Sequence, residues 1–377
     1  MQEQPKQRIQ SIDILRGIVM VIMALDHVRD FFTNVHYDPT DLSQTNIPLF
    51  FTRFITHYCA PVFVFLSGVS IYLGLSKGKS KAAQSRFLLT RGLWLVFAEI
   101  TLVNIGWSFD ISMHFLVLGV IWVIGWSMII LAALIYVKPL YVGCFGLLLI
   151  AGHNLLDPIR AASMGSGSWF WKALHESAII NLSYDRKLYL LYPLIPWVGV
   201  MALGYWGGGL YKQEAVVRKR ILLRAGCGAL LLFVVIRWVN IYGDLVPRVV
   251  YNEGWKTVLS FINVSKYPPS LDYLLITLGP ALIVLSAIDS VQVKASNPAL
   301  VFGRVPFFYY LLHLYLARSL GYLAAVLTGV HSAEQWTGFG LPVVYGVWLF
   351  VVIILYFPCK WYMKFKAKRN DWWLSYL

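Results

Sequence analysis

The chain has 377 residues, of which 58% are hydrophobic and 13% are charged. Soluble globular proteins carry about 25% charged residues, so this composition excludes a soluble domain and favours a membrane protein. The net charge of +14 does not indicate nucleic-acid binding, because the basic residues flank apolar segments and no polar domain holds a basic surface. The four cysteines are far apart and form no C-x-x-C motif, so neither a disulfide framework nor a zinc knuckle is predicted.

Long apolar segments follow one another along the whole chain. A helix needs about 20 apolar residues to cross a membrane, and ten segments approach or exceed that length. They cover 12–33, 48–75, 86–108, 113–137, 139–157, 188–211, 221–243, 270–289, 300–328 and 339–362. We therefore predict an all-α polytopic integral membrane helix bundle of about ten transmembrane helices. Its membrane domain spans 12–364, between a cytoplasmic N-terminal tail at 1–11 and a cytoplasmic C-terminal tail at 365–377.

The distribution of basic residues predicts the orientation. If the N-terminus is cytoplasmic, 21 of the 32 Lys and Arg residues lie on the cytoplasmic side. The outer loops then hold only Arg160, Lys172, Arg186, Lys187, Arg248, Lys256 and Lys266. Because cytoplasmic loops of membrane proteins are enriched in Lys and Arg, this asymmetry predicts that both termini are cytoplasmic.

Charged side chains occur at membrane depth in the first two spans. Asp26 and His27 lie in the outer half of the first span, where Arg29 and Asp30 follow them. Asp26 and Asp30 share one helix face because they are four residues apart. Arg53 and His57 begin the second span with the same spacing, and Glu99 is buried in the third. Ionisable groups are costly in hydrocarbon, so each of these residues is a candidate site residue.

Histidines cluster in one half of the membrane. In the predicted orientation, six of them lie at mid-depth or further out: His27, His36, His57, His114, His153 and His313. A single intramembrane histidine is more often a packing residue than a catalyst, but six together favour a polar cavity near the outer surface. We predict that one cavity is lined by Asp26, His27, His57 and His313, with His36 at its mouth.

The same residues suggest acid–base chemistry. Histidine exchanges protons near neutral pH, and a carboxylate can fix its tautomer. Asp26 with either His27 or His36 is therefore a candidate acid–base pair. A metal site needs three or four converging ligands, usually with a local spacing such as H-E-x-x-H, which is absent. From the sequence we expect no metal site.

Several segments resemble one known family. The first is S-I-D-I-L-R-G-I-V-M-V-I-M-A-L-D-H at 11–27, and the second is F-T-R-F-I-T-H-Y-C-A-P-V-F-V-F-L-S-G at 51–68. Y-P-L-I-P-W-V-G-V-M-A-L-G-Y at 192–205, S-K-Y-P-P-S-L at 265–271 and F-G-R-V-P-F-F-Y-Y-L-L-H at 302–313 follow. Together they resemble the heparan-alpha-glucosaminide N-acetyltransferase catalytic-domain-like family of multi-span acyltransferases. The resemblance covers about 8–320 and suggests a bacterial member, located in the inner membrane.

The resemblance implies a reaction. Acyl-CoA, in the simplest case acetyl-CoA, would donate its acyl group from the cytosolic side, without a metal, to an amino sugar or other envelope glycan on the outer side. His36 matches the histidine to which the family's catalysis is attributed. Asp26 stands where the family has an amide side chain, and the spacing to the following histidine also differs, so His27 is a rival base. Lys266 and Tyr267 would contact the acceptor or the oxyanion, and substrate contacts are also expected from Arg53, His57, Glu99 and His313.

A different function fits some of the same features. Ten spans with broken helices and buried His and Asp residues also suit a secondary transporter or a proton-coupled flippase. A purely structural scaffold does not explain the buried charges. The expected partners are acyl-CoA, the glycan acceptor and membrane lipids, with a homodimer also considered and no nucleic acid.

Overall fold

The computed structural model describes residues 9–76, 78, 80–329, 336–369 and 371–376. Most of the predicted N-terminal tail at 1–11 lies outside these residues. Lys6, Arg8, Lys77, Lys79 and His331 also lie outside them.

The described residues form mainly helices. The first half of the chain contains α1 (Gln10–Phe32), α2 (Ile47–Phe54), α3 (Cys59–Leu75), α4 (Lys81–Ala98), α5 (Asn104–Ser108), α6 (Val120–Leu134), α7 (Pro139–Gly152) and α8 (Ser168–Leu174). The second half contains α9 (Leu194–Gly207), α10 (Ala215–Val239), α11 (Gly254–Ile262), α12 (Leu271–Ile288), α13 (Pro298–Arg304), α14 (Pro306–Leu327) and α15 (Leu341–Ala367). The short strands are β1 (Phe115–Leu118), β2 (Ala178–Asn181) and β3 (Lys187–Leu190). The predicted class, an all-α polytopic membrane protein, is confirmed.

Seven helical segments among the described residues are long and apolar enough to cross a membrane. They are Ile47–Leu75, Lys81–Ser108, Pro139–Leu156, Ala215–Val239, Leu271–Ile288, Pro306–Leu327 and Leu341–Ala367. The other three predicted spans contain α1, α6 and α9. Helix α1 has 23 residues but carries five charged side chains, and α6 and α9 have only 15 and 14 residues. At about 1.5 Å per residue, α6 and α9 are shorter than a bilayer core of about 30 Å.

Two predicted spans were wrong at their first residues, because each begins with a strand. β1 pairs in parallel with β3 from Phe115↔Lys187 to Leu118↔Leu190, and β2 pairs antiparallel on the other side of β3. The chain is turned before β1 by Met113, which has a positive φ of 55°. The carboxylate of Glu99 then accepts hydrogen bonds from the backbone N–H groups of Gly119 and Trp122, so α6 begins only after Gly119.

Close contact between helices positions the centre of the bundle. Where α3 crosses α9, a Cβ atom on Gly68 would lie 2.1 Å from the carbonyl oxygen of Met201. A Cβ atom on Gly204 would lie 2.1 Å from the carbonyl oxygen of Phe65. Only glycine permits this approach, which is typical of helix packing in membranes.

Candidate functional site

One buried carboxylate holds side chains from three segments. Nη1 of Arg53 donates to both carboxylate oxygens of Asp26, at 2.8 and 2.7 Å. Thr56 donates its hydroxyl to the same carboxylate at 2.9 Å, and Arg29 donates to it from the next turn of α1. The ammonium of Lys266 lies 4.0 Å away. This Asp26 cluster therefore joins α1, the α2–α3 region and the segment before α12.

The charges of the Asp26 cluster do not cancel. Arg29 also pairs with Asp30 at 2.9 Å, so three cations face two carboxylates and one positive charge remains. Asp26 forms no hydrogen bond with a histidine among the described residues, because the cations and Thr56 take up its oxygens. The geometry therefore does not support the predicted acid–base pairing of Asp26 with His27 or His36. It favours a different role for Asp26, that of positioning the cations beside His27.

His27 instead pairs with His313, from α14. Nδ1 of His27 lies 2.6 Å from Nε2 of His313, and Nδ1 of His313 lies 3.0 Å from the carbonyl oxygen of Tyr309. A carbonyl can only accept, so in the neutral pair His313 carries its proton on Nδ1 and accepts on Nε2. His27 then donates from Nδ1 and keeps a lone pair on Nε2. This arrangement makes His27 a base of fixed tautomer.

Two cavities meet beside His27. The smaller one has a volume of about 40 Å³, and its lining includes Asp26, His27 and Lys266. The larger one has a volume of about 370 Å³. Met23, Phe63 and Val120 line both cavities, so the two adjoin at these side chains.

The larger cavity has cations near one end. Its lining includes Arg16, Arg91, Arg304 and Lys366, all of which the charge distribution assigns to the cytoplasmic side. One face of α1 extends from the cationic end of the larger cavity to His27. On this face Arg16, Met20, Met23 and His27 follow one another at spacings of four, three and four residues. Arg16 and His27 are thus about 16 Å apart along the helix. The cavity therefore runs from a cationic end towards the small cavity that holds His27.

Buried polar contacts fix the segment that carries Lys266. Arg237 is 1% exposed and donates to four backbone carbonyls, three of them in the 260–263 region. Asp244 accepts hydrogen bonds from the backbone and hydroxyl of Ser265 and from the hydroxyl of Ser270. Ser265, directly before Lys266, and Ser270, four residues after it, are therefore both held, and the Lys266 side chain between them lines the small cavity. Arg237 was not among the site residues predicted from the sequence, although a charge late in an apolar helix is a recognisable signal.

Other predicted residues lie elsewhere. His57 is buried against the ring of Tyr273, at 5.5 Å between centroids, and lines neither cavity. The Glu99 carboxylate accepts hydrogen bonds from backbone N–H groups at the beginning of α6, and it lines neither cavity either. The predicted common cavity therefore contains Asp26 and His27 but not His57, while His313 lies behind His27. We do not retain His57 or Glu99 as substrate contacts.

Two other predicted site residues, Tyr267 and His36, lie near the segment that carries Lys266 or in the loop hydrogen-bonded to it. The ring of Tyr267 packs 5.3 Å from that of Tyr192, which lines the small cavity. His36 is exposed in the loop after α1 and has no hydrogen bond among the described residues. That loop is tied to the Lys266 segment, because the Asn263 side chain donates to the carbonyl of Thr40 at 3.0 Å.

A bundle of apolar helices around buried histidines and charges defines an integral membrane protein with a cluster of buried ionisable side chains. The family model described as heparan-alpha-glucosaminide N-acetyltransferase, catalytic, matches residues 8–244. The chain therefore belongs to this acyltransferase family. The match includes Asp26, His27, His36 and Arg53, whereas Lys266 and His313 follow its end. No curated protein matches the chain significantly.

We expect Asp26→Asn to destabilise the protein, because it leaves Arg53 and Lys266 buried without their carboxylate. Breaking a buried ion pair costs about 3 kcal/mol or more. Thermal unfolding in detergent should show a clear loss of stability. Asp185→Asn is the matched control, because that carboxylate is exposed and accepts a hydrogen bond from the Ser183 hydroxyl. The double variant Asp26→Asn, Arg53→Gln should recover part of the loss. An unchanged unfolding temperature in Asp26→Asn would contradict the assigned role of Asp26.

Proposed function

We propose that the protein is an acyltransferase that moves an acyl group, in the simplest case acetyl, from cytosolic acyl-CoA to an amino sugar or other envelope glycan on the outer side. The observation that carries the proposal is the cationic cavity that leads to the free lone pair of His27. In this proposal the protein lies in a bacterial inner membrane with both termini in the cytoplasm.

The larger cavity suits the chemical character of acyl-CoA. Arginine and lysine form strong charge-assisted hydrogen bonds with phosphate oxygens, so the cationic end would bind the nucleotide part of CoA. Among the described residues no carboxylate pairs with Arg91, which leaves its guanidinium available to a phosphate. The apolar wall of Met20, Met23 and Phe63 would contact the pantetheine arm. The thioester would then lie beside His27.

The residues of the small cavity can supply the steps of acyl transfer. Nε2 of His27 accepts the proton of the acceptor amine or hydroxyl as that group attacks the thioester carbonyl. The ammonium of Lys266 stabilises the negative charge that develops on the carbonyl oxygen. The carbon–sulfur bond then breaks, and the CoA sulfur takes the proton back from His27. His313 positions the ring of His27 throughout, and Asp26 holds the cations.

The acceptor would approach through the outer segments. The loop that carries His36 and the segment that carries Lys266 and Tyr267 are joined by the hydrogen bond between Asn263 and Thr40. In this arrangement His36 contacts the acceptor, while His27 acts as the base. The proposal thus keeps both histidines but reverses the order that the family resemblance implied.

We expect His27→Gln to lower kcat for acyl transfer by about 100-fold or more, because the general base is lost. His36→Ala should raise KM for the acceptor and change kcat less than about tenfold, as expected for a binding contact. His114→Ala is the control, because His114 is exposed, its ring pairs with Asp110 and it lines neither site cavity. The assay is transfer of radiolabelled acetyl from acetyl-CoA to a panel of amino sugars in proteoliposomes.

Two outcomes would contradict this assignment. Wild-type turnover in His27→Gln with none in His36→Ala would move the base to His36. No turnover by the wild type with any acyl-CoA, together with substrate-coupled proton movement, would favour the transporter.

We expect Arg91→Gln to raise KM for acetyl-CoA about tenfold with little change in kcat, because one charge-assisted contact with a phosphate is lost. Arg220→Gln is the matched control, because Arg220 is an exposed cation on the predicted cytoplasmic side that lies outside the cavity. Equal effects of the two substitutions would show that only the general positive charge matters, and would contradict this binding site.

A further inference from the structure

Three potential metal ligands converge at the end of α7, away from both site cavities. His153 and Asp157 lie in and just after the turn that follows α7, and His175 is the first residue after α8. One ligand atom from each side chain lies within 4.8 Å of the other two. Nε2 of His175 and Oδ1 of Asp157 are already 3.0 Å apart. We call these residues the His153 group.

Burial leaves the nitrogens of this group in need of a partner. His153 is 1% exposed, and neither of its ring nitrogens has a hydrogen-bond partner among the described residues. Nδ1 of His175 also lacks one. The rings of His153 and His175 pack with 5.8 Å between their centroids, but this contact does not replace the hydrogen bonds with water that the buried nitrogens have lost. Buried polar atoms in folded proteins are rarely left without a partner, so a bound group is the physical explanation to test.

Neighbouring contacts orient the carboxylate as they do in metal sites. The side-chain amide of Asn154 donates to Oδ2 of Asp157 at 2.8 Å, so Oδ1 is left facing His175. The carbonyl oxygen of the same amide accepts from the backbone N–H of Leu271 at 2.9 Å. Asn154 is thus fixed at both ends, and it fixes Asp157. Such outer contacts orient ligands and strengthen metal binding.

We propose that His153, Asp157 and His175 bind one divalent ion of the zinc class. Two imidazole nitrogens and one carboxylate oxygen are the donor set of three-ligand zinc sites, in which water occupies the fourth position. Tetrahedral zinc bonds of about 2.0–2.1 Å place the ligand atoms about 3.3 Å from one another. His175 and Asp157, at 3.0 Å, are already near that spacing, so the ligand atom of His153, which lies within 4.8 Å of theirs, is the one that would move closer. The Asp157 side chain is 13% exposed, which gives the ion a path of entry.

The ion would have a structural role and would not belong to the acyl-transfer site. It would tie the end of α7 to the segment between α8 and β2, and through Asn154 to the beginning of α12. The expectation of no metal site rested on the absence of local motifs. Here the third ligand is 18 residues after Asp157 in the chain, so only folding brings it into place.

Metal content tests the proposal independently of acyl transfer. The full-length protein, purified without a histidine tag, is incubated with zinc, dialysed and analysed by mass spectrometry. We expect about one zinc per chain, a higher unfolding temperature with zinc than after chelation, and visible absorption typical of tetrahedral Co²⁺ after cobalt replacement. His153→Ala and His175→Ala should each lose the bound zinc.

The matched control is His114→Ala. His114 and Asp110 form another histidine–aspartate pair, at 2.8 Å, but no further ligand joins it in the described part of the chain. Hydrogen bonds from the His114 backbone and ring lower the pKa of Asp110, so the control pair also holds an ionised carboxylate. This variant should retain the zinc.

Two results would overturn the proposal. One is less than about 0.1 zinc per chain in the folded wild type, with no cobalt absorption. The other is an unchanged zinc content in both His153→Ala and His175→Ala. If these variants do not fold, Asp157→Asn keeps the size of the side chain and should weaken zinc retention at least tenfold. Retention equal to the wild type there would overturn the proposal as well.

Discussion

The carboxylate of Asp26 is the interaction on which the site depends. Moving an ion from water into a protein interior costs several kcal/mol, so Arg29, Arg53 and Lys266 can be buried together only around an opposite charge. These cations come from α1, from α2, which follows it directly, and from the segment before α12, which comes much later in the chain. Their attraction to one carboxylate therefore fixes three segments around His27. The remaining positive charge suits a site where a carbonyl oxygen becomes negative.

The histidine pair determines which ring nitrogen in this charged environment keeps a free lone pair. Because Tyr309 accepts from His313, and His313 accepts from His27, the free lone pair lies on the first helix, which also lines the cationic cavity. A donor entering from the cationic end and an acceptor arriving past Lys266 would meet at this nitrogen.

The sequence predicted the features that depend on neighbouring residues within one segment. Apolar length predicted the seven membrane-crossing segments found among the described residues, and the cost of buried charge singled out Asp26, His27 and Arg53. It could not show which partners these residues take. His27 and His313 are 286 residues apart, and their contact depends on how α1 and α14 rotate against each other. Helical periodicity within each span carries no information on that rotation.

Other errors have equally specific causes. The segment F-L-V-L at 115–118 is apolar enough to extend a span, but a parallel partner at 187–190 makes it a strand. Glu99 was read as a substrate contact because a buried carboxylate is costly, although two backbone N–H groups satisfy it. The ligands of the His153 group were visible as single histidines, but their convergence depends on the long loop between α7 and β2.

The most direct test is a structure with a non-hydrolysable acyl-CoA analogue bound. The account predicts its phosphates at Arg91, Arg304 and Lys366, its pantetheine arm along Met20 and Met23, and its acyl carbonyl carbon at a near-attack distance of about 3–4 Å from the acceptor position beside His27 Nε2. Density for the analogue at any other surface, or an acyl group that stays in the larger cavity and does not pass Met23, Phe63 and Val120 to reach His27, would contradict it.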